Sequence, residues 1–347
     1  MRIALFFDGT WNAPLAFTNI HALFRRTPEI PGEQHRRYFT GVGTKPPYLL
    51  GAVTGLGLDE KIVAGYAEIV RHWRDADDQI FLFGFSRGAF TARSLAGMIA
   101  KCGIVPPGAL SAQQVFDRYR DTERPGLREM VDDPAAIVTD QDALVRVRAR
   151  QARIRFIGVF DTVGSLGLPG PFAGLTAGRY RFHDTDLSGL VDIARHAVAL
   201  DELRSYFPPT LWTAVPKPVG APPSVEQRWY VGGHSNVGGG PTTGLWLDHQ
   251  LSTLPRRWIA TEARLAGLRI TLPAVAPDAE SGRIERADHS PLFAPIGLLP
   301  KLGFAPRHVR DGGIDETLAG SVRARWCGDV DYRVGSPPRA IGLRQWI

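Results

Sequence analysis

The sequence predicts an α/β protein built on a mostly parallel sheet, with helices on both faces and inserted, lid-like loops. Three observations carry this expectation. Four short apolar runs, at 3–7, 80–83, 154–160 and 229–231, each end at once in small or turn-forming residues. They are apolar almost throughout, the pattern of strands buried on both faces. Helical stretches lie between them, as crossover connections in a parallel sheet require.

The first run, IALFF, leads into Asp8-Gly9. A helix is expected over 58–74, before the second run, which ends at Gly84. Helices at 89–101, closed by Gly103, and at 112–120 come next, and the third run stops at Asp161. A helix is expected over 192–206, stopped by Pro208-Pro209, and the fourth run ends in Gly232-Gly233. A last helix is expected over 243–265, interrupted near Pro255. Two segments resist the scheme and are the candidate lids: 124–142, rich in charge and proline, and 290–306, SPLFAPIGLLPKLGFAP. The whole is expected to form one domain, 1–347, with insertions at about 104–150 and 281–312.

Composition narrows the class. With 44% hydrophobic and 22% charged residues, the chain can bury a large core. The net charge of +6 comes from 41 basic against 35 acidic residues scattered along the chain, so nucleic acid is not expected as a partner. A basic surface suits peripheral contact with an anionic membrane. Cys102 and Cys327 match no metal-ligand spacing, so zinc is not expected; no cofactor is expected, and a calcium requirement is left open. The apolar start is too short for a signal peptide and no run approaches a membrane span, so synthesis in the cytoplasm is expected, with any export by a signal-independent route.

In open α/β sheets, ligands bind beyond the carboxyl ends of the strands, where all four polar turns fall. One of them is Gly84-Phe85-Ser86-Arg87-Gly88, between a strand and a helix, the context of a nucleophile elbow of the α/β-hydrolase type. Ser86 is the expected nucleophile. A serine hydroxyl needs a base, and the base a carboxylate to fix its tautomer. In this fold the chain order is serine, acid, histidine. His234, in a glycine-rich loop after the fourth run, is the expected base, and Asp161, at the tip of the third, the expected acid. Asp201 and Asp248 are reserve acids, both expected in helices. An oxyanion hole is expected from the Arg87 N–H and a second donor at Gly9 or Thr10. Asp8 is expected to hydrogen-bond its loop.

These residues, with FDGTWN at 7–12, GVGT at 41–44, GFSRGAFTAR at 84–93, FDTV at 160–163, HAVALDE at 196–202, HSNVGGG at 234–240 and SVRAR at 321–325, resemble the catalytic domain of the type VI secretion lipase effectors of the first Tle group. The resemblance implies an α/β-hydrolase that cleaves phospholipid acyl esters, with the family's serine, acid and histidine on Ser86, Asp161 and His234. It further implies a lipid or ester substrate and a secretion-system or immunity partner. The family usually has Asp where this chain has Asn236, which puts an ionic role of that position in doubt. Two other readings stand beside it: an esterase on small soluble or polymer esters, and a catalytically silent binding module of the same fold.

Overall fold

In the computed structural model, the residues described are 1–9, 17–41, 56–163, 186–204, 207–215, 220–240, 250–284, 306–309 and 312–334. In chain order the elements are β1 (Arg2–Phe7), α1 (Asn19–Arg26), β2 (Gln34–Phe39), α2 (Leu56–His72), β3 (Gln79–Phe85), α3 (Arg87–Cys102) and α4 (Ala112–Arg120). They continue with α5 (Leu127–Asp132), α6 (Asp140–Arg148), β4 (Ile154–Phe160), β5 (Val191–Ala199), β6 (Ser224–Tyr230) and α7 (His234–Gly238). The last are α8 (Gln250–Leu265), β7 (Glu316–Leu318), α9 (Gly320–Gly328) and α10 (Val330–Val334).

The seven strands form one sheet in the order β2-β1-β3-β4-β5-β6-β7, every neighbouring pair parallel. Side chains alternate between its faces. Ile3, Leu5, Phe7, Ile80, Leu82 and Ile157 pack under α2, α3 and α4 on one side. Ala4, Phe6, Phe81, Phe83 and Phe156 pack under α1 and α8 on the other, where Phe6 and Phe83 stack with ring centroids 4.7 Å apart. Burial on both faces explains the unbroken apolar runs of the central strands.

Two expectations are corrected here. The stretch 192–206 is not a helix: its first part is the interior strand β5, and Asp201 lies in the turn beyond it. Arg195 and His196, polar residues within an interior strand, are both buried. Arg195 pairs with Glu262, and His196 bonds the Thr162 amide and the Gln227 side chain. The stretch 124–142 is not a lid either. It runs into α5 and α6, which bury Leu127, Met130 and Val145 in the same core as α3. Arg118 and Asp142, both fully buried, join α4 to α6 at 2.9 Å. The insertion leaves after α3 and rejoins before β4, its neck closed by the Ile104–Arg150 pairing, at the amino end of the strands.

The other candidate lid, 290–306, lies almost wholly outside the described residues, as do Thr10 and Asp248. No described helix is long and apolar enough to cross a membrane.

Candidate active site

Ser86, Asp161 and His234 follow the carboxyl ends of β3, β4 and β6. Parallel pairing puts those three ends on one side of the sheet. Ser86 sits between β3 and α3 with φ 56° and ψ −124°, a region that a side chain occupies only under strain. The turn survives because it is over-determined. The Ser86 N–H donates to the Phe160 carbonyl at 3.0 Å, and its own carbonyl accepts the Ala89 amide at 3.1 Å. The two flanking glycines are demanded by close approach: a Cβ on Gly84 would overlap Gly88 and Ala89, and one on Gly88 would overlap the carbonyls of Phe7 and Asp8.

Asp161 also has positive φ, 37°, and is fully buried. Its Oδ2 accepts the Nδ1–H of His234 at 2.6 Å, and its Oδ1 accepts the Ala199 amide at 2.9 Å. Arg307 then clasps both oxygens, Nη1 to Oδ1 at 2.6 Å and Nη2 to Oδ2 at 3.1 Å. The same guanidinium donates to the carbonyls of Ala199 and Phe207, each at 2.7 Å. Burial alone would raise the Asp161 pKa, but Arg307 and His234 outweigh it and hold the carboxyl far below its usual range. Asp161 is therefore ionised, so the His234 proton sits on Nδ1 and Nε2 carries the lone pair.

Burial lowers the His234 pKa, with Asp161 only partly restoring it. Its ring lies between Phe85, at 4.6 Å between centroids, and Phe207, at 5.1 Å edge-on. The end of β5 holds its loop: Asp201 accepts the Gly232 amide at 2.7 Å, and Glu202 the His234 amide at 3.1 Å. Burial works against the Glu202 charge, yet Arg204 holds the carboxyl at about 2. Asn236 Oδ1 accepts the Gly233 amide and its Nδ2 donates to the Arg283 carbonyl, both at 3.0 Å. A carboxylate could make the first bond and not the second.

The structure thus brings Asp161 and His234 into contact and sets Phe85, the neighbour of Ser86, against the histidine ring. Among the described residues, the His234 ring hydrogen-bonds Asp161 and makes no such bond to Ser86. Contacts of this kind are often loose without substrate. Arg87 is the first residue of α3, ahead of the first intrahelical donor, Ala89. The Gly9 amide is engaged by Asp8 Oδ1 at 2.8 Å. Asp8 also accepts from Thr18 at 2.5 Å and Tyr38 at 2.7 Å, and so organises its loop as expected.

Sequence reasoning missed Arg307, Glu202 and Arg204. Glu202 closes the HAVALDE motif, which was a signal; Arg307 had none, standing 146 positions from its partner. Asp201 supports the histidine loop and does not touch the ring.

Residues 1–262 match the family model described as T6SS, Phospholipase effector Tle1-like, catalytic domain. An uncharacterized protein of Saccharomyces cerevisiae is 29% identical over 239 residues, 62% of this chain and 33% of that relative, so the chain spans a third of its length. A solved structure of an uncharacterized protein from Pseudomonas aeruginosa aligns with TM-score 0.45 and 20% identity over 81% of this chain and 48% of that one. The structure of the Tle1 effector bound to the VgrG spike of the type 6 secretion system aligns with TM-score 0.32 and 20% identity over 71% of this chain and 52% of that one.

Proposed function

The chain belongs to the Tle1-like catalytic domain family of type VI secretion phospholipase effectors, and from that membership we propose that it is a serine-dependent carboxylic ester hydrolase acting on phospholipid acyl esters. The observation that carries the serine mechanism is the 2.6 Å Asp161–His234 bond beside a strained Ser86 elbow.

In this mechanism His234 Nε2 takes the Ser86 proton as Oγ attacks the ester carbonyl. Asp161, kept ionised by Arg307, stabilises the imidazolium without accepting its proton. The oxyanion is met by the Arg87 N–H at the start of α3, where the helix dipole adds positive potential. The second donor is assigned to the loop of Gly9 and Thr10, whose Gly9 amide must exchange Asp8 for the oxyanion. His234 then protonates the leaving alcohol, and water attacks the acyl-enzyme with His234 again as base. No cofactor takes part in these steps. A bilayer surface and a secretion-system protein are the proposed partners, with release by a signal-independent route.

The test is hydrolysis of dispersed phospholipid and of short-chain nitrophenyl esters by wild type, Ser86→Ala, His234→Ala and Asp161→Asn, with fluorophosphonate labelling of Ser86. Loss of about 10⁴-fold or more in each variant is expected. A wild type that cleaves only the soluble esters would make it an esterase of other substrates. An enzyme inert on all of them and unlabelled at Ser86 would be a binding module.

A further inference from the structure

Beyond the carboxyl ends of the strands, one side-chain cluster stands out at the other end of the sheet. His35 lies near the start of edge strand β2, opposite Ile3 of β1, and Glu68 and His72 lie four residues apart on the last turns of α2. Their potential ligand atoms all lie within 4.8 Å of one another. Glu68 Oε1 is 2.8 Å from His35 Nε2 and 3.3 Å from His72 Nε2. The two imidazole rings stack, with centroids 3.7 Å apart and planes 16° from parallel. Solvent reaches the cluster, the three side chains being 16%, 11% and 28% exposed in the order His35, Glu68, His72.

His35 Nδ1 faces Glu29 Oε1 at 3.0 Å, so that nitrogen carries a proton. With that tautomer, the Nε2 lone pair of His35 is available to a cation beside Glu68 Oε1. A divalent ion taking both Nε2 atoms and Glu68 Oε1 must turn the stacked rings apart, since the in-plane lone pairs of near-parallel rings do not converge. Glu29 completes the arrangement, since a carboxylate on the far nitrogen is the usual way of fixing a ligand histidine's tautomer. Arg71, at 3.2 Å, occupies the other oxygen of Glu68 and leaves Oε1 for the ion.

We propose that His35, Glu68 and His72 bind one divalent transition-metal ion of the imidazole-preferring kind, zinc foremost, and that the ion fastens edge strand β2 to α2. Two imidazoles and one carboxylate form a known zinc donor set, with a water completing the tetrahedron. The site lies a strand's length from Ser86 and owes nothing to the ester chemistry.

Isothermal titration calorimetry of the chelator-treated chain decides it, with zinc chloride against magnesium chloride, alongside thermal melts and Co²⁺ absorption. One equivalent of zinc should bind and raise the melting temperature, magnesium should do neither, and Co²⁺ should show the visible bands of a tetrahedral site. His72→Ala and Glu68→Gln should each weaken zinc by at least about tenfold and abolish the thermal shift, and Glu29→Gln should weaken it by about tenfold. If His72→Ala fails to fold, His72→Gln takes its place as a polar side chain that is a poor zinc ligand. Absence of zinc binding, or unchanged affinity in the ligand variants, overturns the proposal.

Discussion

Arg307 and Asp161 form a two-pronged ion pair closed off from solvent, with side chains 5% and 0% exposed. Removing one partner strands the other as a buried charge. Arg307→Met should therefore cost about 3–5 kcal/mol in urea denaturation and reduce ester hydrolysis. Arg307→Lys, which keeps the charge and loses the fork, should fall between the two. A Met variant as stable as wild type would mean that Asp161 does not need this partner.

The strain at Ser86 separates stability from activity. At φ 56° and ψ −124°, glycine is at ease and alanine is not. Ser86→Gly and Ser86→Ala should both be inactive, with the glycine variant more stable by about 1 kcal/mol. Equal melting temperatures would argue that the turn is relaxed.

Acid should unfold the protein through its buried histidines. His196 donates Nδ1–H to Gln227 at 3.2 Å and accepts the Thr162 amide at 3.1 Å, and burial pushes it down from 6.5 to about 3. Between those values the unfolded chain binds a proton that the folded one refuses. Stability contributed by this group is complete above 6.5 and falls as pH drops, by about 1.4 kcal/mol per unit. His234, also lowered, acts in the same direction. Asp161 adds a further loss once pH falls below 3.8, its ordinary value. Urea midpoints that do not change between about pH 4 and pH 6 would contradict this. For activity, a lowered His234 stays a neutral base, so the acidic limb of kcat/KM should lie below pH 6.5.

Asn236→Asp tests the position where the sequence resemblance implies Asp in place of this chain's Asn236. The Gly233 amide would keep its acceptor, while the Arg283 carbonyl would lose a donor and face a carboxylate. A loss of about 1–3 kcal/mol in stability is expected, with no gain in kcat. A large rise in kcat would show that the loop wants a charge.

What was legible in the sequence follows from burial. β1, β3 and β4 are covered on both faces and read as apolar runs. β2, QHRRYF, is an edge strand whose middle residues are mostly polar and only partly buried, so it carried no such signal. β5 hid because Arg195 and His196 are buried polar groups whose partners, Glu262 and Gln227, are distant in sequence. The Ser86 elbow and the Asp161–His234 contact were legible because sites in this topology gather beyond the carboxyl ends of the strands. Arg307 was not, because a counter-charge can arrive from any part of the chain that reaches the site.

Arg307 lies beyond residue 262, where the family match stops. A fragment cut at that border would retain Ser86, Asp161 and His234, the proposed triad, yet strip Asp161 of its counter-ion and β6 of its neighbour β7. The unit that similarity detects is thus shorter than the unit that keeps its carboxylate charged, and expression boundaries belong after the last described helix, past Val334.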